Sequence, residues 1–337
     1  MEVLNTTQPK LALFLPPSPA ESWQLALQIG VKHATTKAVD TLEETPWGLP
    51  ALTGLKSSFE DAGLDLLVYE TGLPAGQMDE IRLGGSERDR EIEHFSELLR
   101  NLGKVGIPIV SWTWQLGRAW LRTRTDTHSR GGSLVTEFDS IQKTAAPTGP
   151  VSQISETDLW ESLEYFLIRV VPVAEEAKVK MALHPADPPI EAVGGVPQMI
   201  RSVAAYDRAL SMKPSMYNGV CFCQGCFAEM GIDIPRAIRH FGERIHYVHF
   251  RDVQRSKGKL VETWIDNGPT DMLQAMRTYQ EVGFAGPIRP DHVPTMAGET
   301  NANPGYEMKG RLFAIGYMKG LLEQCKASTP RSRVIGD

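Results

Sequence analysis

Residues 178–184, KVKMALH, and residues 218–223, NGVCFC, are short apolar runs separated by a helix-like stretch, and each ends in a residue that can bind a metal. A strand, a helix and a second strand in this order predict two parallel strands joined by a crossover helix. The same strand–helix–strand unit recurs along the chain. These two runs define the unit, and its repetition decides the fold class.

Outward from them, apolar runs alternate with helix-like stretches along the whole sequence. The predicted strands are Lys10–Pro16, His33–Lys37, Leu64–Glu70, Ile107–Trp114, Lys178–His184, Asn218–Cys223, Ile245–Arg251 and Pro287–Asp291. The predicted helices are Ser22–Gly30, Leu49–Ala62, Glu87–Val105, Glu156–Ala177, Pro197–Ala209, Pro235–Phe241, Asp271–Val282 and Gly310–Cys325. Eight alternations favour a single (β/α)8 TIM barrel spanning residues 1–337. The alternative, an open doubly wound sheet, lacks its GxGxxG or GxxxxGK[ST] phosphate fingerprint here.

One connection is much longer than the others. Gln115 to Ser155, between the fourth strand and the next helix, contains RTRTDTHSRGG and AAPTGP. A connection of this length is either a functional lid or a loose insertion. It leaves the C-terminal end of a strand, where barrel active sites lie, which favours a lid. We expect Arg122 or Arg124 of this insertion to approach the carboxylate of a substrate.

The composition is that of an ordinary globular protein. Hydrophobic residues make up 42% of the 337 residues, and 35 Lys plus Arg against 41 Asp plus Glu give a net charge of −6. With no basic block and no long apolar run, we expect neither nucleic acid nor a membrane as a partner. No signal peptide is recognisable, and four cysteines are too few for a secreted disulfide framework. The expected location is a reducing cytoplasm.

Four predicted strands end in potential metal ligands: His184, Cys223, His249 and Asp291. Side chains alternate between the two faces of a strand. The apolar set that suits packing under helices comprises Val179, Met181, Leu183, Val220, Phe222, Val248, Phe250 and Ile288. The four ligand-type residues fall on the opposite, inward face of consecutive strands. We therefore predict that they bind one divalent metal.

Two imidazoles, a thiolate and a carboxylate suit Zn, Fe(II), Co or Mn better than Mg. Four protein ligands leave an open position only on a five- or six-coordinate metal, which disfavours closed tetrahedral Zn. A hydroxy-acid substrate could fill the open positions through a carboxylate and a hydroxyl oxygen.

Other interpretations of these residues stay open. A single strand-end histidine can be a hydrogen-bonded structural residue, and a buried cysteine can pack as a small hydrophobe. Cys221, Cys223 and Cys226 could form a structural zinc knuckle, although a second ligand pair at finger spacing is missing. His246 lies on the opposite face from His249, so we expect it to be structural.

Two residues near Asp291 are candidates for proton transfer. His292 follows it directly, and Tyr306, in NPGY, lies at the entrance to the last helix. A nearby cation can lower the pKa of a phenol and bring its proton transfer nearer to neutral pH. The alternative for Tyr306 is simple packing, with its hydroxyl bonded to water.

Two arginines share the inward face. Arg251, two residues after His249, could hold a substrate carboxylate through two hydrogen bonds, or it could pair with a loop acid. Arg289 lies one layer deeper, which favours a structural role over a substrate contact.

Several stretches resemble the mannonate dehydratases, metal-dependent sugar-acid lyases on a xylose-isomerase-like barrel. These stretches are HPADPP, NGVCFCQG, YVHFRDV, DNGPTDMLQAMRTYQEVGFAGPIRPDHVPTM and NPGYEMKGRLFAIGYMKGL. The resemblance is dense over residues 170–322 and thinner over 55–145, where FEDAGLDLLVYET and RTRTDT with GGSLVTEFD still fit.

The resemblance implies the same metal ligands as the strand pattern: His184, Cys223, His249 and Asp291. It implies Mn²⁺ or Fe²⁺ as the cofactor and makes His292 and Tyr306 the acid–base residues. The implied reaction removes water from an aldonate such as D-mannonate and yields a 2-keto-3-deoxy acid. Separately, we expect a homo-oligomer, a dimer or a tetramer.

Three departures from the family pattern concern the substrate-facing wall. The chain has LALFLPP in place of an aromatic opening segment, TTKAVDT in place of a paired histidine, and Cys226 in place of a small hydroxyl residue. A metal-dependent isomerase or epimerase on the same barrel is therefore an alternative, although Cys223 is unusual for such enzymes. A non-catalytic sugar-acid-binding relative is a further alternative, which retention of His292 and Tyr306 disfavours.

Overall fold

The structure is a computed structural model that describes residues 8–38, 45–74, 76–117, 120–142 and 149–327. The strands are β1 (Lys10–Phe14), β2 (His33–Lys37), β3 (Asp65–Glu70), β4 (Ile109–Thr113), β5 (Arg124–His128), β6 (Leu134–Asp139), β7 (Lys180–His184), β8 (Ala192–Val193), β9 (Val196–Pro197), β10 (Asn218–Cys223), β11 (Ile245–His249), β12 (Val253–Ser256), β13 (Lys259–Glu262) and β14 (Pro287–Arg289). Eight of them close into a barrel in the order β1-β14-β11-β10-β7-β4-β3-β2, with every neighbouring pair parallel. The predicted (β/α)8 barrel is confirmed.

Helices follow the barrel strands. They are α1 (Glu21–Gln28), α2 (Leu49–Asp61), α3 (Asp79–Leu83), α4 (Arg88–Val105), α5 (Glu156–Ala177), α6 (Val203–Met212), α7 (Gln224–Glu229), α8 (Ile234–Phe241), α9 (Met272–Glu281) and α10 (Met308–Ala327). The sequence marks their ends. Ser155 and Asp158 form a capping box at the start of α5, and Gly106 ends α4 in the left-handed conformation, with φ 77°.

The core has two layers, as the alternation of side chains predicts. A large cluster between strands and helices contains Met181, Leu183, Val220, Phe222, Val248 and Ile288 among many others. A small cluster fills the barrel interior and consists of Leu67, Val68, Ile109, Ala182, Cys221 and Tyr247. Inward residues of β7, β10 and β11 thus share the interior with the strand-end residues above them.

The long connection after β4 is more ordered than a loose insertion. Its residues form the hairpin β5–β6, which pairs with a second hairpin, β12–β13, that follows barrel strand β11. We call this four-stranded antiparallel sheet the accessory sheet. It is tied to the barrel at Leu134, which pairs with Thr295 beyond β14. The parts of the insertion at 118–119 and 143–148 lie outside the described residues.

Some predicted boundaries were wrong. The helix predicted at Pro197–Ala209 begins only at Val203, after the small hairpin β8–β9, and Ser202 caps it. The last two barrel strands end earlier than predicted, so Arg251 and Asp291 lie just beyond β11 and β14.

Within the described ranges, none of the helices is both long and apolar enough to cross a membrane.

Candidate metal centre and active site

The four predicted ligand residues lie at one end of the barrel. His184, Cys223 and His249 are the last residues of β7, β10 and β11, and Asp291 follows the end of β14. Cys223 and His249 are register partners on adjacent strands. Because the barrel strands are parallel, their final side chains gather at the same mouth.

The side chains of these residues are close to one another. The ligand atoms of Cys223, His249 and Asp291 all lie within 4.8 Å of each other. His249 Nδ1 is 3.4 Å and Cys223 Sγ is 4.0 Å from Asp291 Oδ2. His184 lies beside this group: its ring centroid is 5.0 Å from that of His249, and its ligand atoms lie within 4.8 Å of those of Cys223 in one set and of His249 in another. The structure therefore brings together the set that strand alternation selected.

The arrangement fits a divalent metal. His249 Nδ1 is buried and has no hydrogen-bond partner, although a buried imidazole nitrogen is normally satisfied. It points toward the Asp291 oxygen that Cys223 also approaches. A metal between these atoms would satisfy the nitrogen, and the mixed nitrogen, sulfur and oxygen donors suit a first-row transition metal.

Neighbouring groups favour the ionised, metal-binding form of two of these residues, Cys223 and Asp291. Burial opposes ionisation of Cys223, but hydrogen bonds with Cys226 and His184 and the positive charge of Arg251 hold the pKa of its thiol well below the usual range. Burial likewise opposes ionisation of Asp291, and His292, Arg289 and His249 nevertheless hold its pKa well below the usual range. Both residues are thus in the anionic form that binds a metal.

Tyr306 and His292 form a hydrogen-bonded pair beside the ligands. Tyr306 Oη lies 3.1 Å from His292 Nε2 and 3.2 Å from Asp291 Oδ1. The local backbone explains this contact: Val293 N–H donates to Gly305 O over 2.8 Å, and Gly305 has a φ of 83° that favours glycine. This bridge brings the NPGY turn alongside the residues that follow β14.

The protein's own groups hold Tyr306 in its protonated form. Burial raises the pKa of its phenol well above the ordinary value, and the negative charge of Asp291 raises it further. The lowering of this pKa that the sequence suggested depends on a metal cation beside the phenol, and it stays a prediction.

Arg122 of the insertion and Arg251 form a buried cluster with three acids, Asp187, Glu229 and Glu262. Arg251 Nη2 donates to Asp187 over 2.6 Å and its Nη1 to Glu262 over 2.9 Å. Arg122 donates to Glu262 over 2.6 Å and also pairs with Asp187. Both side chains are 2% exposed. We call these five residues the arginine–acid cluster.

The arginine–acid cluster changes the expected role of its arginines. Burial raises the pKa of Glu229 well above its usual value and Asp187 raises it further, so Glu229 is neutral. Asp187 and Glu262 then balance the two guanidinium groups. The guanidinium N–H groups that were expected to bind a substrate carboxylate already donate to the protein's own acids. For Arg251 this is the alternative in which it pairs with a loop acid. A substrate contact by either arginine stays a prediction.

The other two arginines occupy different positions. Arg289 is buried one layer below the ligands, where its Nη1 donates to Asp291 Oδ1 over 2.7 Å, in keeping with a structural role. Arg124 has 51% of its side chain exposed and pairs with Asp126 at 3.1 Å within β5. Four of the five residues of β5 are exposed, so Arg124 lies on an exposed strand, and its contact with a substrate stays a prediction.

The remaining cysteines and His246 do not form a zinc knuckle. Cys226 Sγ lies in a group with His184 and Cys223, whereas Cys221 Sγ lies deeper, 3.7 Å from His249 Nε2, in a different group with His184 and His249. No ligand group among the described residues contains all three cysteines. His246 Nδ1 lies 2.9 Å from Met181 O, the structural position that strand alternation predicts.

Sequence reasoning missed several residues of the site. Glu262 and Glu70 were not recognised, since Glu262 belongs to no quoted motif, nothing in FEDAGLDLLVYET marks Glu70 as a site residue, and both reach the site only through the tertiary fold. Trp120, whose ring centroid lies 4.9 Å from that of His292, was missed within the insertion. Asp187 stands in the HPADPP motif, three residues after His184, and this spacing was the only available signal.

The chain is similar to known proteins along most of its length. It matches the D-mannonate dehydratase family over residues 24–148 and 149–332. It is 33% identical to a mannonate dehydratase of Oceanobacillus iheyensis over 322 residues, which cover 87% of this chain and 90% of the relative. It is 32% identical to a mannonate dehydratase of Enterococcus faecalis, covering 90% of this chain and 93% of the relative.

Solved structures agree with these matches. The structure superimposes on mannonate dehydratase from Streptococcus suis serotype 2 with a TM-score of 0.88 and 29% identity, covering 98% of each chain. An L-ribulose 3-epimerase shares 14% identity at a TM-score of 0.60, over 97% of this chain and 100% of the other. This second likeness concerns the xylose-isomerase-like barrel alone.

Proposed function

The chain belongs to the D-mannonate dehydratase family and is a carbon–oxygen hydro-lyase, and from this premise we propose how its residues divide the reaction. His184, Cys223, His249 and Asp291 hold one divalent metal, with Mn²⁺ or Fe²⁺ favoured. His292 and Tyr306 exchange protons with a sugar acid such as D-mannonate. The insertion covers the mouth through Trp120 and Arg122, which precede β5 of the accessory sheet.

The dehydration needs one proton removed and one delivered. A base takes the proton from C2 of the aldonate, the hydroxyl on C3 leaves with a proton as water, and the resulting enol becomes a 2-keto-3-deoxy acid. A bound divalent metal supplies Lewis acidity that stabilises negative charge next to the substrate carboxylate.

The two proton-transfer residues have complementary properties. Tyr306 keeps its proton because the pKa of the buried phenol is raised, so it suits delivery of a proton to the departing hydroxyl. His292 Nε2 lies 3.1 Å from the phenol oxygen, so it suits removal of the C2 proton. A proton can pass between these two atoms, and the pair then returns to its starting state after water has left.

One observation carries this proposal: the four ligand-type residues and the His292–Tyr306 pair meet at one mouth of the barrel. The test incubates metal-reconstituted protein with a panel of aldonates and a panel of aldoses. A hydro-lyase releases a 2-keto-3-deoxy acid from at least one aldonate. Conversion of an aldose to an isomer of equal mass, with no product from any aldonate, would instead support the isomerase or epimerase.

Two further features belong to the proposal. The four cysteines, Cys221, Cys223, Cys226 and Cys325, are all free, which suits a reducing cytoplasm. The homo-oligomeric state, a dimer or a tetramer, stays a prediction that sedimentation equilibrium checks.

A further inference from the structure

Glu262 connects the accessory sheet to the proton-transfer pair. It is the last residue of β13, it is buried, and its Oε1 lies 2.8 Å from His292 Nδ1. The other ring nitrogen of His292 faces Tyr306 Oη. The imidazole therefore stands between a carboxylate from the accessory sheet and a phenol from the barrel mouth.

The carboxylate of Glu262 is fixed in place. Its oxygens accept hydrogen bonds from Arg251 over 2.9 and 3.0 Å, and Oε1 accepts one from Arg122 over 2.6 Å. Burial opposes ionisation of Glu262, but Arg251, His292 and Arg122 lower its pKa overall, so it is anionic. An anion held by two buried guanidinium groups is a rigid hydrogen-bond acceptor.

A rigid acceptor at Nδ1 determines what the other nitrogen can do. A neutral imidazole carries one hydrogen, and a carboxylate, which accepts but cannot donate, keeps that hydrogen on the nitrogen facing it. Nε2 is then left with its lone pair toward Tyr306. Among the described residues, Asp291 Oδ2 lies 3.6 Å from Nε2 and the Trp120 ring lies beside the imidazole, and neither of them accepts from Nδ1.

We propose that Glu262 is a positioning residue that fixes the tautomer and the orientation of His292, and so couples packing of the accessory sheet to proton transfer. The inference rests on the proposed function for its kinetic consequence only. Glu262 acts through His292, and among the described residues it reaches the proposed metal ligand Asp291 only indirectly, through His292 and Arg251. Such outer partners of site histidines affect activity by about 10–100-fold when they are removed.

A purely structural role for Glu262 is the competing explanation. In that case its carboxylate only balances Arg122 and Arg251, and its loss changes stability without altering His292. Glu229 offers a matched control. Its Oε1 lies 3.3 Å from Arg122 and 3.5 Å from Arg251, yet it is neutral and His292 is bonded to Glu262 instead.

The test compares wild type, E262Q and E229Q as full-length, zinc-loaded proteins, zinc being diamagnetic. Heteronuclear NMR of the imidazole nitrogens reads the tautomer of His292, and the spectrum of H292N assigns its signals. In wild type and E229Q we expect hydrogen on Nδ1 and a lone pair on Nε2. In E262Q we expect the second tautomer to appear, since the amide can turn its NH₂ group toward the ring.

Kinetics complete the test. We expect kcat of E262Q for the best aldonate to fall by about 10–100-fold, with KM and metal content near wild type. If E262Q fails to fold, E262D serves, because it keeps the charge but withdraws the carboxylate from His292. Unchanged His292 signals in the folded variant, or a kcat within about twofold of wild type, would overturn the proposal. An inactive wild type with the expected tautomer would count against the proposed function instead.

Discussion

Arg289 and Glu70 face each other in the barrel interior through two parallel hydrogen bonds. Arg289 Nε and Nη2 each lie 3.0 Å from a different oxygen of the Glu70 carboxylate. The same guanidinium donates to Asp291 Oδ1, and Glu70 Oε2 lies 3.9 Å from His249 Nε2. One buried ion pair thus supports two of the proposed metal ligands from below.

This relationship predicts the effect of Glu70→Gln. The variant keeps the shape of the side chain but removes the charge that holds Arg289 and faces His249. We expect metal affinity to fall by about 10–100-fold, the usual loss for a partner of a metal ligand. Competition with a chelating indicator measures it. An unchanged affinity in a folded variant would show that Glu70 supports the barrel only.

Cys223→Ser tests the thiolate ligand. Because sulfur prefers softer metals, the variant is expected to lose Zn and Fe(II) more readily than Mn. Metal analysis after dialysis checks this order. Cys221→Ser is the matched control, since Cys221 lies on the same strand but deeper in the barrel. Equal losses in both variants would argue against a special role for Cys223.

Tyr306→Phe removes one hydroxyl and keeps the ring. We expect turnover to fall by about 10²–10⁴-fold, the usual cost of a lost general acid or base. Metal content and thermal stability should stay near wild type. If the variant loses less than about tenfold in rate, the phenol only packs beside Trp120, and proton transfer would be reassigned to His292.

Arg122→Ala tests how the insertion is held. Removing this buried guanidinium takes away one of the two positive charges that balance Asp187 and Glu262. We therefore expect the free energy of unfolding to fall by about 3–5 kcal/mol. Arg124→Ala, two residues away but exposed, should change stability by no more than about 0.5 kcal/mol. Denaturant titrations of both variants measure the difference. Similar values for the two would contradict the structural account of the insertion.

His246 makes stability depend on pH. Burial lowers its pKa from 6.5 to about 3. Below pH 6.5 the unfolded chain binds a proton there and the folded protein does not, so stability falls as the pH drops toward 3. The contribution at pH 5 is about 2 kcal/mol relative to neutral pH. Denaturant unfolding at the two pH values should therefore show a smaller loss for His246→Gln than for wild type. Equal losses would contradict this assignment.

The sequence was sufficient to predict the barrel, and to predict that the four proposed metal ligands lie at one end of it, for a simple reason. Alternation along a strand is local, and the ends of parallel strands must meet, so the order and spacing of His184, Cys223, His249 and Asp291 are enough to place them together. Gly106, at the end of α4, is recognisable in the same way from its neighbours.

The rest of the site depends on contacts between distant segments. The pairing of β6 with β13 joins residues more than a hundred positions apart in the chain, and no local pattern predicts it. The roles expected of Arg122 and Arg251 depended on which acids lie nearby. Because Glu262 arrives from the accessory sheet, sequence reasoning could not identify the acid that pairs with Arg122, and for Arg251 it left a loop acid and a substrate carboxylate as alternatives.

The most direct test of the central claim is a metal-removal and reconstitution assay with D-mannonate and related aldonates. The protein stripped by a chelator should form no 2-keto-3-deoxy acid, and Mn²⁺ or Fe²⁺ should restore a product lighter than the substrate by one water. His249→Ala, prepared in parallel, should not be restored. Full turnover by stripped protein whose metal analysis is blank, or equal restoration of His249→Ala, would contradict the account.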